Sequence, residues 1–229
     1  MQVLLAKSAG FCYGVRRAVE LAEKMVTDGE QPAMLGPVIH NSQVIEDLCN
    51  RGARLIQRPE EAKPGETVII RAHGEPERTY QILQDRGCRV VDGTCPHVRR
   101  IQAIARDARD QGRQMVLIGD PDHPEIRGIC GWGRDILVFP GPDSLCKWLE
   151  TQKNPCDLLL TVAAQTTQTR EIWEVSVNFL KKQCTNAKMF DTICCATQNR
   201  QSEAVEIAAQ VDVMVVVGDR QSANTRHLY

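Results

Sequence analysis

Cys12-Tyr-Gly-Val-Arg-Arg17 and Cys95-Pro-His-Val-Arg-Arg100 repeat one pattern, a cysteine followed at a fixed offset by Val-Arg-Arg, and each opens a run with apolar residues at helical spacing. Self-similarity at a long period marks a supersecondary unit used more than once. Asp191-Thr-Ile-Cys194-Cys-Ala-Thr-Gln-Asn-Arg200 is a third, weaker copy with its arginine displaced by a residue or two. Register supports it, because Cys12 to His40, Cys95 to His123 and Cys194 to Ser222 are each 28 residues apart. The loops so marked are Leu35-Gly-Pro-Val-Ile-His40-Asn, Ile118-Gly-Asp-Pro-Asp-His123-Pro-Glu125 and Val217-Gly-Asp-Arg-Gln-Ser222-Ala-Asn224.

Around these anchors, strand-like runs at Val3–Leu5, Ala33–Leu35, Val68–Ile70, Met115–Ile118, Leu158–Val162 and Val213–Val217 alternate with helical patterns. The helices are expected at Val15–Val26, Ser42–Arg51, Glu77–Asp85, Val98–Gln111, Thr169–Lys182 and Arg200–Ala209. Alternation of this kind predicts an α/β fold with mainly parallel sheets. A further loop in each of the first two units, Ile70-Arg-Ala-His73-Gly and Ala164-Gln165-Thr166-Thr167, lies 61 and about 70 residues after its cysteine. The expected organisation is three pseudo-equivalent α/β lobes, 1–94, 95–190 and a partial 191–229, whose third lobe is incomplete because its own counterpart of that loop falls beyond Tyr229.

The 229 residues balance 28 Lys and Arg against 29 Asp and Glu, which removes the global basic field of a nucleic-acid or polybasic membrane binder. The longest apolar runs are far short of the ~20 residues of a spanning helix. No secretory h-region follows Met1, so a cytoplasmic setting is expected. Ten cysteines in such a chain read as metal or redox residues rather than a disulfide framework, although an arbitrary one among them is a small buried hydrophobe.

Ligands of open α/β folds bind at the carboxyl ends of the strands, so three such units facing one axis converge Cys12, Cys95 and Cys194. Each precedes a helix, whose N-terminus is expected to draw the thiol toward thiolate. Three thiolates hold zinc with a water, or a 4Fe-4S cluster with one iron lacking cysteine, and spacing alone leaves both open. His40, His73, His123, Ser222, Asn224, Gln165, Thr166 and Thr167 add imidazole, hydroxyl and amide donors suited to a phosphorylated ligand. A phosphate nearby is expected to keep those histidines charged. Glu125, in His-Pro-Glu, suits acid-base work, whereas His97 reads as a surface or capping residue.

Gly10-Phe-Cys12-Tyr-Gly-Val-Arg, Leu35-Gly-Pro-Val-Ile-His40-Asn, Arg71-Ala-His73-Gly, Asp92-Gly-Thr-Cys95-Pro, His123-Pro-Glu125-Ile-Arg-Gly, Gln165-Thr-Thr167 and Asp191-Thr-Ile-Cys194 together resemble the hydroxymethylbutenyl diphosphate reductase family along essentially the whole chain. The resemblance implies three lobes around one 4Fe-4S cluster per chain, held by Cys12, Cys95 and Cys194 with one iron not ligated by cysteine. It implies reductive removal of the allylic hydroxyl of 4-hydroxy-3-methylbut-2-enyl diphosphate to give isopentenyl and dimethylallyl diphosphates, the last step of the methylerythritol phosphate route to isoprenoids. Glu125 would supply protons, with Thr166 and His123 beside it. His40, His73, His123, Thr166, Thr167, Ser222 and Asn224 would bind the small-molecule substrate. The implied partner is a one-electron donor such as ferredoxin or flavodoxin, with no nucleic acid and no membrane, in the cytoplasm or a plastid stroma.

Two residues depart from the family pattern: Cys195 stands where an aromatic residue is familiar, and Ala223 where serine is frequent. Family members also continue through a further strand and a serine-bearing loop. A second reading is a non-catalytic iron-sulfur or zinc redox sensor on the same fold, and a third is a hydro-lyase that needs no reductant.

Overall fold

A computed structural model describes residues 2–228. Two four-stranded sheets carry it, and every strand pair in both is parallel. In the first, β1 (Ala33–Leu35), β2 (Arg54–Ile56), β3 (Thr67–Ile70) and β4 (Arg89–Asp92) lie in the order β2-β1-β3-β4. The second repeats that order, β6-β5-β7-β8, with β5 (Gln114–Ile118), β6 (Leu137–Phe139), β7 (Leu160–Ala164) and β8 (Lys188–Phe190).

Central parallel strands are covered on both faces and therefore read as unbroken apolar runs. In β3, Ile69 packs with α1 (Tyr13–Thr27) and α2 (Ser42–Asn50) on one face, while Val68 and Ile70 pack with Leu83 of α3 (Glu77–Asp85) on the other. The second sheet copies this. Met115, Leu117 and Ala163 face α4 (Pro96–Asp110) and α5 (Pro124–Cys130). Val116, Val162 and Ala164 face α6 (Pro142–Glu150) and α7 (Arg170–Gln183).

Chain order places the loops. From β1 the chain moves outward to β2 and then returns to β3 on the other side, so the loops after β1 and β3 part at a switch point, as do those after β5 and β7. Leu35 pairs with Ile70 and Ile118 with Ala164, so the four loops leave their strands at matching levels.

The remaining helices are α8 (Cys195–Ala208) and the short α9 (Ala223–Arg226). Two expected strands are not formed. Val3–Leu5 and Val213–Val217 pair with nothing among the described residues, and Val3, Leu5, Val213 and Val217 are each more than three-quarters exposed. A strand without a partner leaves its backbone groups to water and has no sheet face to pack against. The strand expected at Leu158–Val162 begins two residues later, because Pro155–Asp157 forms a 3-10 turn instead. Among the described residues no helix is long and apolar enough to cross a membrane.

The repeated arginines have a structural purpose. Arg17 of α1 donates to the carbonyls of Asp92 (3.1 Å) and Thr94 (3.3 Å), in the loop that enters Cys95. Arg200 of α8 donates to the carbonyls of Ser8 (3.0 Å) and Gly10, in the loop that enters Cys12. Glu203 adds two backbone bonds, accepting from the N–H of Lys7 (2.6 Å) and of Ser8 (2.8 Å). The helix behind one cysteine thus grips the loop in front of another.

Candidate active site

Cys12, Cys95 and Cys194 are the N-cap residues of α1, α4 and α8, each with extended φ and ψ. The loops that carry the second and third are tied to the strand-end loops in the same way: Cys95 N–H donates to the Ala72 carbonyl and Cys194 N–H to the Thr166 carbonyl, both at 2.9 Å. All ten cysteines are free thiols. A Cβ on Gly14 would lie 2.4 Å from Cys95 Sγ, so the first turn of α1 runs against the second thiol.

At Cys95 and Cys194 the expected pull toward thiolate is outweighed. Burial raises the pKa of Cys95 and Cys194, and it outweighs the opposing N–H groups of His97 and Val98 on the first and of Ala196 and Thr197 on the second. Each of these two thiols is also pushed up by the charge of Cys12. The three thiols are therefore near enough for their charges to act on one another, yet their sulfurs do not all lie within 4.8 Å of one another. A single tetrahedral zinc needs its sulfurs about 3.8 Å apart at Zn–S near 2.3 Å.

His40, from the loop after β1, His73, from the loop after β3, and His123, the N-cap of α5, meet with ring centroids 4.4, 5.8 and 5.5 Å apart. Both ring nitrogens of His40 and Nδ1 of His73 are buried without a hydrogen-bond partner. Three buried imidazole nitrogens without a partner in one place are costly, and they suit a ligand that offers hydrogen-bonding oxygens. A Cβ on Gly128 of α5 would lie 2.9 Å from the Gly74 carbonyl oxygen, and its absence lets α5 press against the His73 loop.

Burial governs the charge on this trio. Burial lowers the pKa of His40, puts His73 well below its ordinary value, and takes His123 to about 4. The neighbouring imidazoles and Arg71 add to the effect on His73 and His123. Desolvation and the neighbouring positive charges thus favour the neutral imidazoles, and an anion beside them would act in the opposite direction.

Glu125, in the first turn of α5, is 2% exposed. Thr166 donates to it twice, from its N–H to Oε1 at 2.7 Å and from its hydroxyl to Oε2 at 2.6 Å. Burial raises the Glu125 pKa, and the two Thr166 bonds oppose that rise. Its own N–H donates to His123 Nδ1 at 3.1 Å. A continuous run of contacts therefore leads from Cys194 through Thr166 and Glu125 to His123 and the other two imidazoles.

Thr167 accepts from Gln165 Nε2 (2.9 Å), while Gln165 Oε1 accepts from Asp120 N–H (2.9 Å). Asn224 accepts from Thr197 in the first turn of α8 (3.0 Å), and Ser222 caps α9 by accepting from Thr225 N–H. The α9 segment reaches the second sheet's loops through Arg226, bonded to Asp120 at 3.2 Å, and through His227 Nδ1, which donates to the Thr167 carbonyl at 2.7 Å. Asp219, in the Ser222 loop, is close enough for its charge to act on His40. Sequence reasoning passed over Arg71 and Arg226, whose charges reach His40 and His123. The one signal for Arg71 was its place two residues before His73. It read His97 as a surface or capping residue, whereas its ring approaches Cys194 and Cys195.

The model of the family described as LytB protein matches residues 3–229. The 4-hydroxy-3-methylbut-2-enyl diphosphate reductase of Nitratidesulfovibrio vulgaris is 41% identical over 231 residues, covering 100% of this chain and 81% of the relative. The protein of that name from Caldanaerobacter subterraneus is 36% identical, covering 100% and 79%. A solved structure of (E)-4-hydroxy-3-methyl-but-2-enyl diphosphate reductase, described as the terminal enzyme of the non-mevalonate pathway, superposes with a TM-score of 0.75 at 35% identity, covering 99% of this chain and 80% of the other. The E-1-hydroxy-2-methyl-but-2-enyl-4-diphosphate reductase of Plasmodium falciparum superposes with a TM-score of 0.88 at 25% identity, covering 96% and 69%. With one match along nearly its whole length and relatives well above 30% identity, the chain belongs to the LytB family.

Proposed function

We propose that this chain is a 4-hydroxy-3-methylbut-2-enyl diphosphate reductase, which breaks the allylic C–O bond of its substrate and forms isopentenyl and dimethylallyl diphosphates. Two electrons and two protons enter; the oxygen leaves as water, and the allylic carbon frame keeps the electron pair and one proton. The observation that carries the reading is the run of contacts Cys194–Thr166–Glu125–His123, which joins a thiol ring to an imidazole trio through a buried acid.

Cys12, Cys95 and Cys194 would hold a 4Fe-4S cluster, one per chain. Their separation beyond single-ion distance and their backbone N–H donors fit a larger group better than a lone zinc. Such a cluster supplies electrons singly from a carrier of the ferredoxin or flavodoxin kind and a Lewis-acidic iron free of cysteine. His40, His73 and His123 would take the diphosphate, whose charge would favour the protonated imidazoles that burial disfavours. Ser222 and Asn224, at the mouth of the third loop, would add neutral donors. Glu125, whose pKa burial raises, would deliver a proton to the departing hydroxyl, and Thr166 would hold it in place. Division of the chain into lobes 1–94, 95–190 and 191–229 follows from the same reading.

Anaerobic reconstitution with iron and sulfide tests it, followed by reduction with dithionite and a viologen and by product analysis with the hydroxylated diphosphate. Formation of both olefinic diphosphates at two electrons per turnover is expected. A reconstituted chain that binds the substrate without consuming reductant would overturn the assignment.

A further inference from the structure

His97, Cys194 and Cys195 bring their donor atoms within 4.8 Å of one another, and none of the three side chains is buried. Neither His97 nor Cys195 has a place in the reaction proposed above. They come from two helix N-termini: His97 from the first turn of α4, Cys194 and Cys195 from the N-cap and first residue of α8. Two sulfurs and one imidazole nitrogen around an open fourth position make a donor set that suits zinc and related ions.

We propose that these three residues form a binding site for one divalent cation of the zinc class, filled when the cluster is absent. Tetrahedral coordination at roughly 2.0–2.3 Å asks for donors about 3.3–3.8 Å apart, a small closure from the observed spacing. Cys12, Cys95 and Cys194 stand wider, so a lone ion finds a better fit at the His97 side of Cys194 than among the three. A consequence rests on the reading of Cys194 as a cluster ligand. The two sites share that sulfur, so an ion on His97 and Cys195 turns it away from Cys12 and Cys95 and excludes the cluster until the ion leaves.

The test begins with the cluster-free, reduced chain titrated anaerobically with Co²⁺ alone. Sulfur-to-cobalt absorption should saturate at one equivalent, yield to Zn²⁺, and persist in a Cys12→Ser, Cys95→Ser double variant. His97→Asn and Cys195→Ser, at positions open to solvent, should each weaken cobalt binding roughly tenfold or more. Zinc-loaded wild type should take up iron and sulfide only after a chelator is added, while zinc should not delay uptake in Cys195→Ser. Cobalt binding that vanishes in the double variant and is unchanged in His97→Asn would place the ion among the three cluster thiols and overturn the proposal. Equal cluster uptake with and without zinc would overturn the exclusion. A Cys194→Ser chain that still loads a full cluster would instead overturn the cluster reading and leave the cobalt result standing.

Discussion

Thr166 gives Glu125 two hydrogen bonds, one to each carboxylate oxygen, from its backbone N–H and from its hydroxyl. The first survives any side-chain change at position 166; the second does not. Burial and the hydroxyl thus act on the Glu125 proton in opposite directions. Thr166→Val should leave burial unopposed by the hydroxyl and raise the Glu125 pKa further, so the descending limb of the pH–rate profile should move to higher pH. A limb that stays in place would show that another group sets it.

Glu125→Gln keeps shape and removes the acid. Turnover should fall roughly 10²-fold or more while cluster content and substrate binding are retained. Single-turnover product formation measures the first, and iron analysis with equilibrium binding measures the others.

The imidazole trio makes the ligand-free chain acid-sensitive. Because the folded pKa of His123 is depressed from 6.5 to about 4, its contribution to stability is full above about 6.5 and is lost as pH falls through about 4. The amount is on the order of 3 kcal/mol, at about 1.4 kcal/mol per pKa unit. Urea unfolding between pH 7 and pH 4 should show this decline, and His123→Asn should flatten it. His40 and His73 are shifted in the same direction.

Binding of an anion to the trio should run the other way. Inorganic pyrophosphate is expected to draw protons onto neutral imidazoles, so its affinity should weaken as pH rises from 6 to 8. Calorimetric titration in two buffers of different ionisation heat should report net proton uptake at pH 7. Zero uptake would mean that the histidines bind as neutral donors.

Gly14→Ala places a methyl 2.4 Å from Cys95 Sγ. Overpacking of this kind costs about 1–3 kcal/mol. The fold should survive while the thiol turns away, so iron and sulfide content should drop far more than helicity. Cys88→Ser, outside the 28-residue register, should keep the cluster.

The parallel α/β architecture was legible because its central strands, such as Val68–Ile70 and Met115–Ile118, are buried on both faces and therefore continuously apolar. The edge strand Arg89–Asp92 was not, since it holds two valines between charged ends. Helix α5 was hidden for a different reason. Its seven residues begin at Pro124 inside a loop read only for its ligands, too short to show a period. Cys12, Cys95 and Cys194 and the three loop histidines could be located because a repeat fixes position without knowledge of contacts. Their protonation could not, because it depends on burial, which a one-dimensional register does not contain. Val213–Val217 had the composition of a strand, but composition does not supply a neighbour to pair with.

The grip of Arg200 and Glu203 on the segment Lys7–Gly10 spans 190 to 196 residues of sequence. Contacts of such separation form late, since the loop-closure entropy must be met before they contribute. During synthesis the first sheet and its helices emerge long before α8 exists, so the approach to Cys12 stays loose on the ribosome until residue 203 has cleared the exit. Order at the first thiol therefore waits on α8, and a cluster held there would be acquired only once that helix has folded back onto the Lys7–Gly10 segment.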